Sequence, residues 1–364
     1  MAKLGDFCTK QSSNIRQSDL DSRDGSYPIY GASGFIKTVD FYEQTKPYVA
    51  VVKDGAGIGR VMKLPAYSSV IGTMQYIIPN DGVDVGYLAY AMEHMKLEKY
   101  YSGATIPHIY FKNYCKETMK EVSVEEQKQI VYALDLITSL ISLREKQLQK
   151  LDDLVRSRFV EMFGDPLLGE IKWPIHTVGD VADAIDPQPS HRTPPIDETG
   201  IPYVSIKDCD YKTGTIDFEH ARKVSRSVLE EHLQRYKLNE GDFIIGKIGT
   251  IGNPIFVPAR KDYTLSANIV LIQPYKQKAS PYFLIHSFMT SYVDKQFEGA
   301  KNSTSQAAFG IQKVRMIKIP NPPIELQYQF ETFVKKVDKS KVTVQQGLDK
   351  LELLKQSLMQ KYFG

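Results

Sequence analysis

The sequence predicts an α+β fold: two α/β domains in tandem, each followed by a long helix, with the two helices pairing as an antiparallel coiled coil with pseudo-two-fold symmetry. The first observation behind this prediction is a repeat, because residues 124–164 align with residues 324–364 without a gap at an offset of 200 positions. The second is the helical spacing of apolar residues in both copies. The third is that strands, turns and a helix precede each copy in the same order. The chain therefore repeats one plan, a domain followed by a helix.

The two long helices carry matching apolar stripes. Apolar side chains recur at alternating spacings of three and four residues, which places them on one helix face and favours a helical partner. The stripe residues are Ile130, Leu134, Ile137, Ile141, Leu148 and Leu151 in the first copy, and Phe330, Val334, Val337, Val344, Leu348 and Leu351 in the second. Arg144 and Lys341 interrupt the stripes at different levels, which would help to fix the register. Each stripe is expected to pack on the other; the alternative is that each helix packs on its own domain.

Residues 1–123 are expected to form the first α/β domain. Apolar and β-branched runs predict strands at residues 48–53 and 70–78. A helix is predicted at residues 85–101, and residues 102–108 after it have no apolar period and are expected to form a loop.

Residues 167–323 repeat this order of elements with different side chains. Strands are predicted at residues 243–247 and 267–272, followed by a helix at residues 281–297 with proline at its start and a polar loop at residues 298–306. The predicted segments are two domains and two helices, with bounds 1–123, 124–166, 167–323 and 324–364. Because the domains have diverged more than the helices, we expect two different binding surfaces on a fixed spacer.

Composition limits the class of protein. A chain of 364 residues with 42% apolar and 24% charged residues fits two or three globular domains. The net charge of +3 gives no global basic field, although local patches for nucleic acid are compatible with it. No apolar run approaches the roughly 18 residues of a membrane span, and the three cysteines include no Cys-x-x-Cys pair. We therefore expect a cytoplasmic chain without a disulfide framework, metal site or membrane partner.

Two glycine-rich segments, residues 55–60 and 246–252, each follow a predicted strand. A phosphate-binding loop needs a helix directly after its glycines, whereas strand-like residues 61–65 and 253–257 follow here. The segments therefore predict tight β-turns rather than nucleotide sites. Their glycines would still let a DNA backbone approach closely.

The sequence offers no clear catalytic group. The Asn-Pro-Pro-Ile segment at residues 321–324 resembles the Asn-Pro-Pro-aromatic tetrapeptide of amino-methyltransferases, but Ile324 lacks the aromatic face that stacks an extruded base. The paired prolines instead favour a fixed backbone just before a helix. The seven histidines include no His-x-x-x-His or His-Glu-x-x-His arrangement. No catalytic residue is therefore assigned.

Polar and basic residues beside the turns, and in the loop after each domain helix, are the candidate nucleic-acid contacts. Lysine and arginine neutralise phosphates, and hydroxyl, amide and imidazole groups bond to phosphates or base edges. The candidates are Lys53, Arg60, Thr105, His108, Tyr110, Lys112, Lys247, Lys301, Asn302, Ser303, Thr304 and Gln306. The same residue types occur in ordinary surface loops, so a purely local hydrogen-bonding role is the alternative.

Together these features resemble the DNA-specificity subunit of type I restriction-modification enzymes. The resemblance rests on the domain–helix–domain–helix repeat and on short motifs at residues 27–34, 125–130, 249–252 and 319–323. It covers essentially the whole chain. It implies that each domain is a target-recognition domain that reads one half of a split, asymmetric DNA sequence, and that the helices set the spacing between the halves.

The resemblance also implies partners and cofactors. Two methyltransferase subunits would dock on the helices, bind S-adenosylmethionine and methylate adenine. Restriction subunits, which use ATP and Mg²⁺, would complete a translocase and nuclease where they join. The chain itself would be non-catalytic and hold no cofactor. Two alternatives stay open: a self-contained DNA adenine methyltransferase, and a tandem DNA-binding adaptor without methyltransferase partners.

Overall fold

The computed structural model describes residues 1–103, 107–167, 169, 171–211, 213–248, 251–301 and 309–364. This part of the chain forms two compact units. Unit 1 contains Met1–Gln147 and Val344–Gly364, and unit 2 contains Leu148–Thr343. Each unit therefore combines one α/β domain with one segment from each of the two long helices.

The first domain, within residues 1–123, mixes short strands and helices. Its strands are β1 (Ala2–Lys3), β2 (Cys8–Ser12), β3 (Tyr27–Gly31), β4 (Gly34–Val39), β5 (Tyr48–Val52), β6 (Val61–Leu64), β7 (Ser69–Val70), β8 (Met74–Pro79) and β9 (Thr118–Met119). Its helices are α1 (Leu4–Phe7), α2 (Val85–His94) and α3 (Phe111–Tyr114), with 3-10 turns at Gln17–Leu20 and Leu97–Tyr100.

A four-stranded antiparallel sheet in the order β2-β8-β5-β6 forms the centre of the first domain. All residues of β5 are buried, as its continuous apolar run predicts. Leu88 and Met92 on α2 share one buried cluster with Val49 and Val51 of β5. A three-stranded sheet in the order β4-β3-β7 completes the main strand pairing of this domain.

Two predicted elements of the first domain are interrupted. The strand predicted at residues 70–78 is two strands, because the chain makes a turn before Met74. The helix predicted at residues 85–101 ends at His94. Two residues later Lys96 has a φ of 53°, a left-handed conformation that a right-handed helix cannot contain. A short 3-10 turn replaces the last part of the predicted helix.

The second domain carries longer connections. Its strands are β10 (Ile175–Thr177), β11 (Ala182–Ile185), β12 (Ile201–Val204), β13 (Cys209–Asp210), β14 (Thr215–Ile216), β15 (Lys223–Val224), β16 (Phe243–Gly246), β17 (Pro254–Phe256), β18 (Thr264–Leu265), β19 (Ile269–Pro274) and β20 (Lys318–Pro320). Its helices are α5 (Val178–Val181), α6 (Arg226–Leu233), α7 (Pro281–Phe288), α8 (Ser291–Lys301) and α9 (Ile311–Arg315), with a 3-10 turn at Ile206–Asp208.

The second domain has an equivalent four-stranded antiparallel sheet in the order β11-β19-β16-β17. Leu284 and Phe288 on α7 pack in one buried cluster with Phe243 and Ile245 of β16, as the helix and sheet of the first domain do. The predicted repetition of sheet and helix is therefore confirmed within each domain.

The helix predicted at residues 281–297 is two helices, α7 and α8. Thr290 lies between them, and its hydroxyl donates to the Ser287 carbonyl at 2.7 Å and accepts from the Val293 N–H at 3.3 Å. Such a side chain satisfies backbone groups at the end of one helix and the start of the next. The apolar period continues through this break, so periodicity alone did not reveal it.

The two long helices are α4 (Val124–Phe163) and α10 (Ile324–Phe363), and each contains 40 residues. Their first residues are the first residues of the two predicted helical segments. The paired prolines before Ile324 thus precede a helix start, as the sequence favours.

In unit 2 the end of α4 runs antiparallel to the beginning of α10. Asp152 Oδ1 lies 2.5 Å from Lys341 Nζ, and the rings of Phe159 and Phe330 have centroids 5.3 Å apart. Increasing residue number on α4 thus meets decreasing number on α10. The Lys341 interruption of the apolar stripe is matched by the carboxylate of Asp152.

Unit 1 contains the corresponding pair of segments, the beginning of α4 and the end of α10. Ile130 and Leu134 share a buried cluster with Met359 and Phe363, and side chains of α2 belong to the same cluster. The beginning of α4 therefore packs both on the end of α10 and on its own domain. Among the predicted stripe residues, buried positions are Ile130, Leu134, Ile137, Phe330, Val334, Val337, Val344 and Leu348, whereas Ile141, Leu148, Leu151 and Leu351 are half-buried.

Over the described ranges, no helix combines the length and apolar character needed to cross a membrane. Over the same ranges, no three side chains of histidine, cysteine, aspartate or glutamate come together in a metal-binding arrangement.

Candidate nucleic-acid interface

Sheet topology brings loops together at one edge of the first domain. Strands β2 and β5 both pair antiparallel with β8, so they run in the same direction and end at the same sheet edge. From β5 the chain continues through Lys53 and Asp54 into the glycine turn. We call residues 53–60 and 107–112 at this edge the first loop edge.

The glycine segment in the first loop edge is a tight turn between β5 and β6, which confirms that prediction. Gly55, Gly57 and Gly59 have φ values of 83°, 88° and 82°, a region that glycine adopts without steric cost. The Gly59 N–H donates to the Val52 carbonyl at 2.9 Å. A strand rather than a helix follows, so the context of a phosphate-binding helix is missing here.

The loop that precedes α3 folds against this turn. The Ile109 N–H donates to the Lys53 carbonyl, and the Gly55 N–H to the Pro107 carbonyl, both at 3.0 Å. His108 Nδ1 is hydrogen-bonded to the carboxylate of Asp54. This bond orients the imidazole ring and leaves its Nε2 atom available for another partner.

Basic and aromatic side chains follow His108 along the first loop edge. The rings of His108 and Tyr110 have centroids 4.1 Å apart, and Lys112 Nζ lies 5.3 Å from the centroid of the Tyr110 ring. Lys53 Nζ lies 3.9 Å from Asp54 Oδ2. Arg60 is exposed, and its Nη1 donates to the Ala32 carbonyl at 2.8 Å. The sequence candidates of the first domain that can be described therefore lie on a small number of adjoining segments.

The second domain repeats this edge with different chemistry. Strands β11 and β16 both pair antiparallel with β19, so the chain leaves them at the same edge. The Phe309 N–H donates to the Lys247 carbonyl at 2.9 Å, as the Ile109 N–H does to that of Lys53. We call residues 186–194, 247–248 and 309–310 the second loop edge.

Lys247 differs from Lys53 in its surroundings. Its side chain is 3% exposed, and Nζ donates to Asp186 Oδ2 at 2.6 Å. The ammonium is therefore already neutralised inside the domain. Of the described candidates, Lys247 is the one least available to a DNA phosphate in this conformation.

Thr105, Asn302, Ser303, Thr304 and Gln306 lie outside the described residues. Lys301 is the last residue of α8, and its side chain is likewise outside the description. Their proposed contacts to nucleic acid stay predictions.

A buried polar network behind the second loop edge was missed by the sequence reasoning. The backbone N–H of Gln188 donates to Asp186 Oδ1 at 3.1 Å, and the Gln188 side-chain oxygen is hydrogen-bonded to His232 Nε2. His232 Nδ1 lies 2.6 Å from Thr264 Oγ1. Desolvation lowers the pKa of His232, with a smaller contribution from nearby Arg235. The sequence signal at this place is the Asp-Pro-Gln-Pro segment at residues 186–189, which directly follows β11 in the structure.

One glutamine on each long helix fixes that helix to its domain. Gln127 accepts from the Asp84 N–H at 2.7 Å and donates to the Val122 carbonyl at 3.1 Å. Gln327 accepts from the Ser280 N–H at 2.9 Å and donates to backbone and side-chain oxygens just before α10. Asp84 and Ser280 are the N-caps of α2 and α7. The domain helix and the long helix are therefore joined at equivalent points in the two units.

Comparison with known proteins gives the same family along most of the chain. A family model described as the type I restriction modification DNA specificity domain matches residues 1–153 and again residues 170–353. The EcoBI specificity subunit, a type I restriction enzyme subunit of Escherichia coli, is 23% identical over 163 residues, which are 43% of this chain and 34% of that protein. A protein of Methanocaldococcus jannaschii described as a type I restriction enzyme specificity subunit is 26% identical over 143 residues, 37% of this chain and 33% of its own length. The chain thus matches about a third of each of these two relatives.

A longer match comes from Haemophilus influenzae. A protein described as a type I restriction enzyme specificity subunit is 22% identical over 339 residues, 89% of this chain and 83% of that one. Among solved structures, a type I restriction-modification S subunit from M. genitalium has a TM-score of 0.62 at 15% identity and covers 100% of this chain and 95% of that one. A chain from a type I R-M system has a TM-score of 0.51 at 13% identity, with coverage of 99% and 96%. The chain therefore belongs to the type I restriction-modification DNA specificity family.

Proposed function

We propose that this chain is the recognition subunit of a type I restriction-modification complex, in which its two domains read the two halves of a split, asymmetric DNA site. The observation that carries the proposal is the duplicated loop edge. Equivalent sheets in the two domains end in equivalent loops, but the side chains on those loops differ. Such a pair suits two different sequences rather than one palindrome.

At each loop edge, different side chains would contact the phosphates and the bases. Lysine and arginine side chains contact phosphates and set the position of a domain, whereas side chains at loop tips bond to base edges. The major groove is the expected target, because all four base pairs differ there in their donors and acceptors. His108, with Nδ1 held by Asp54, is the leading candidate reader of the first loop edge.

The long helices would act as the spacer between half-sites. A helix of 40 residues is roughly 60 Å long at about 1.5 Å per residue. This length corresponds to about 18 base-pair steps at about 3.4 Å each. A spacer of that size supports reading of two separated sequences by one chain.

An exposed apolar stripe on α4 is the proposed docking surface for a methyltransferase subunit. Tyr132, Leu136, Leu140 and Leu143 are 73%, 49%, 40% and 60% exposed, and their spacing of four, four and three places them on one helix face. An exposed apolar face of this kind marks an interaction surface. We assign catalysis to such partners: two methyltransferase subunits that bind S-adenosylmethionine, and restriction subunits that use ATP and Mg²⁺, leaving this chain non-catalytic.

The test of the proposed function uses domain exchange in the complete complex. Replacing residues 1–123 with the corresponding domain of another family member should change one half of the methylated sequence and leave the other half intact. A change in both halves would contradict independent reading. Separately, inserting one helical turn after Leu143 should change the distance between the halves, and an unchanged distance would contradict the spacer role.

The same material separates the two alternatives. A self-contained methyltransferase would bind S-adenosylmethionine as an isolated chain, which can be measured by calorimetry. A tandem adaptor would bind DNA without a co-purifying methyltransferase subunit. We expect no cofactor binding by the isolated chain and stable co-purification with a methyltransferase subunit.

A further inference from the structure

The second loop edge contains a loop with a buried base and an exposed tip. Pro187 and Gln188 are buried, whereas Pro189 and every residue of the segment 190–193 are exposed. The tip has the sequence Ser-His-Arg-Thr, which is rich in groups that bond to phosphates and base edges. None of these tip residues was singled out from the sequence.

Gln188 holds this loop from the inside. Its side-chain amide donates to Ser190 Oγ at 2.7 Å and to the Arg192 carbonyl at 3.3 Å. The His191 N–H closes a turn by donating to the Gln188 carbonyl at 3.0 Å. At the far end, Arg222 Nη2 donates to the Pro194 carbonyl at 2.6 Å. The loop is therefore fixed at both ends and across its middle.

The base of the loop is held by the ion pair of buried Lys247 and half-buried Asp186. A buried charge pair adds little net stability, because desolvation offsets the attraction, and one role attested for such pairs is to specify a unique arrangement. Lys247 directly follows β16 and Asp186 directly follows β11, and both residues lie at the same sheet edge. In the first domain, Lys53 Nζ lies 3.9 Å from Oδ2 of the half-buried Asp54. The two domains therefore use equivalent lysines in different ways.

We propose that the tip of this loop reads bases in the half-site of the second domain, with Arg192 and His191 as the reading side chains. Lys247, Asp186 and Gln188 are positioning residues that hold the tip in place. The inference rests on the proposed function and extends it to residues outside the sequence candidates. It reassigns Lys247 from phosphate contact to support of the loop.

The geometry favours a reading role over a general phosphate role for the tip. Rigid presentation matters for base contacts, which depend on direction, whereas a phosphate contact tolerates a mobile side chain. Arginine offers a planar fork that matches the two acceptors of guanine in the major groove. A loop held by several hydrogen bonds and an ion pair supplies the fixed platform that such a contact needs.

The experiment measures base preference with the full chain in its complex with methyltransferase subunits. The recognised site is first defined by mapping methylated adenines in cells that carry the complex. Binding is then measured on duplexes with every single-base change in that site. Arg192→Ala should reduce discrimination at one or two positions of one half-site by roughly 10-fold, in line with the loss of a bidentate base contact. His191→Ala should affect neighbouring positions of the same half-site.

The matched control is Arg260→Ala. Arg260 lies on the loop that follows β17. Because β17 is antiparallel to β16, this loop begins at the opposite edge of the same sheet. This variant should keep the base preference of the wild type. If Arg192→Ala and His191→Ala also keep it, with or without a uniform loss of affinity, the reading role is overturned.

The positioning role has its own variant. Lys247→Met combined with Asp186→Asn removes both charges together and so avoids a buried unpaired charge, while the asparagine Oδ1 can still accept from the Gln188 N–H. It should relax the same base positions as Arg192→Ala while thermal unfolding stays close to that of the wild type. An unchanged base preference in a folded double variant would overturn the positioning role. A wild-type complex that prefers no split sequence would instead overturn the proposed function itself.

Discussion

Replacing Gln327 with leucine should destabilise unit 2, although the substitution is nearly equal in volume. Gln327 is fully buried, and its amide bonds to the Ser280 N–H at 2.9 Å, the Pro322 carbonyl at 2.8 Å and Asn321 Oδ1 at 3.1 Å. Leucine would leave these groups without the partner. A buried polar group that loses its hydrogen bond costs about 1–3 kcal/mol. Allowing for relaxation and water entry, we expect a loss of about 3 kcal/mol in the free energy of unfolding.

The assay is urea unfolding followed by the fluorescence of the single tryptophan, Trp173. This residue belongs to unit 2, and it adjoins Pro174, whose carbonyl accepts from the Asn321 N–H at 2.9 Å. With a dependence on urea of about 3 kcal/mol per molar, the midpoint should fall by roughly 1 M. Because only unit 2 carries the probe, unfolding of unit 1 does not enter the signal.

The control is Gln329→Leu, two residues along the same helix. Gln329 is exposed, and substitution of an exposed residue without special contacts changes stability by about 0.5 kcal/mol or less. If the Gln327 and Gln329 variants unfold at the same urea concentration, the bonds to Gln327 do not hold the domain to the helix. The twin pair, Gln127→Leu and Gln129→Leu, applies the same comparison to unit 1, with amide hydrogen exchange of unit 1 as the readout because Trp173 lies in unit 2.

Two further predictions concern the partner surface and the acid response. Leu136→Lys combined with Leu140→Lys should reduce co-purification of the methyltransferase subunit at least ~10-fold, because charge on an apolar interface is costly. Ser340→Lys, at the polar position equivalent to Leu140 in the second helix, should leave co-purification unchanged. Equal binding by all of these variants would exclude the stripe as the docking surface. Desolvation lowers the pKa of His286 to about 4 from the usual 6.5, so the unfolded chain takes up this proton first as the pH falls. The unfolding free energy of unit 2 should therefore drop between pH 6.5 and 4, by up to about 2 kcal/mol from pH 7 to 5. This drop should be smaller in His286→Gln than in the wild type, as measured by urea unfolding of both proteins at pH 7 and pH 5. Identical pH dependence of the two proteins would contradict the role of His286.

Local patterns in the sequence were enough for the long elements. The starts of α4 and α10 follow from a gapless repeat and a continuous apolar period, because an amphipathic helix is encoded by residues near in sequence. The strand nature of β5, buried along its whole length, follows in the same way. The glycine turn after it was also predictable, since three glycines and a following strand leave few alternatives.

Interruptions inside elements were harder to predict. The left-handed Lys96 ends the helical region of the first domain, and Thr290 divides the corresponding region of the second. Neither position carries the proline or glycine that normally signals a break. Both breaks are set by tertiary packing and side-chain bonds that periodicity does not contain.

The sequence by itself determined that a domain and a helix occur twice, and which stretches form the paired helices. Sequence patterns did not distinguish the role of Gln127 from that of Gln129, or the role of Lys53 from that of Lys247. Only the tertiary structure decided that Gln127 is buried against a domain helix while Gln129 is exposed, and that Lys247 is neutralised by Asp186. The physical reason is distance along the chain: the partners of Gln127 and Lys247 are brought near by sheet and helix packing, and no local pattern encodes those meetings.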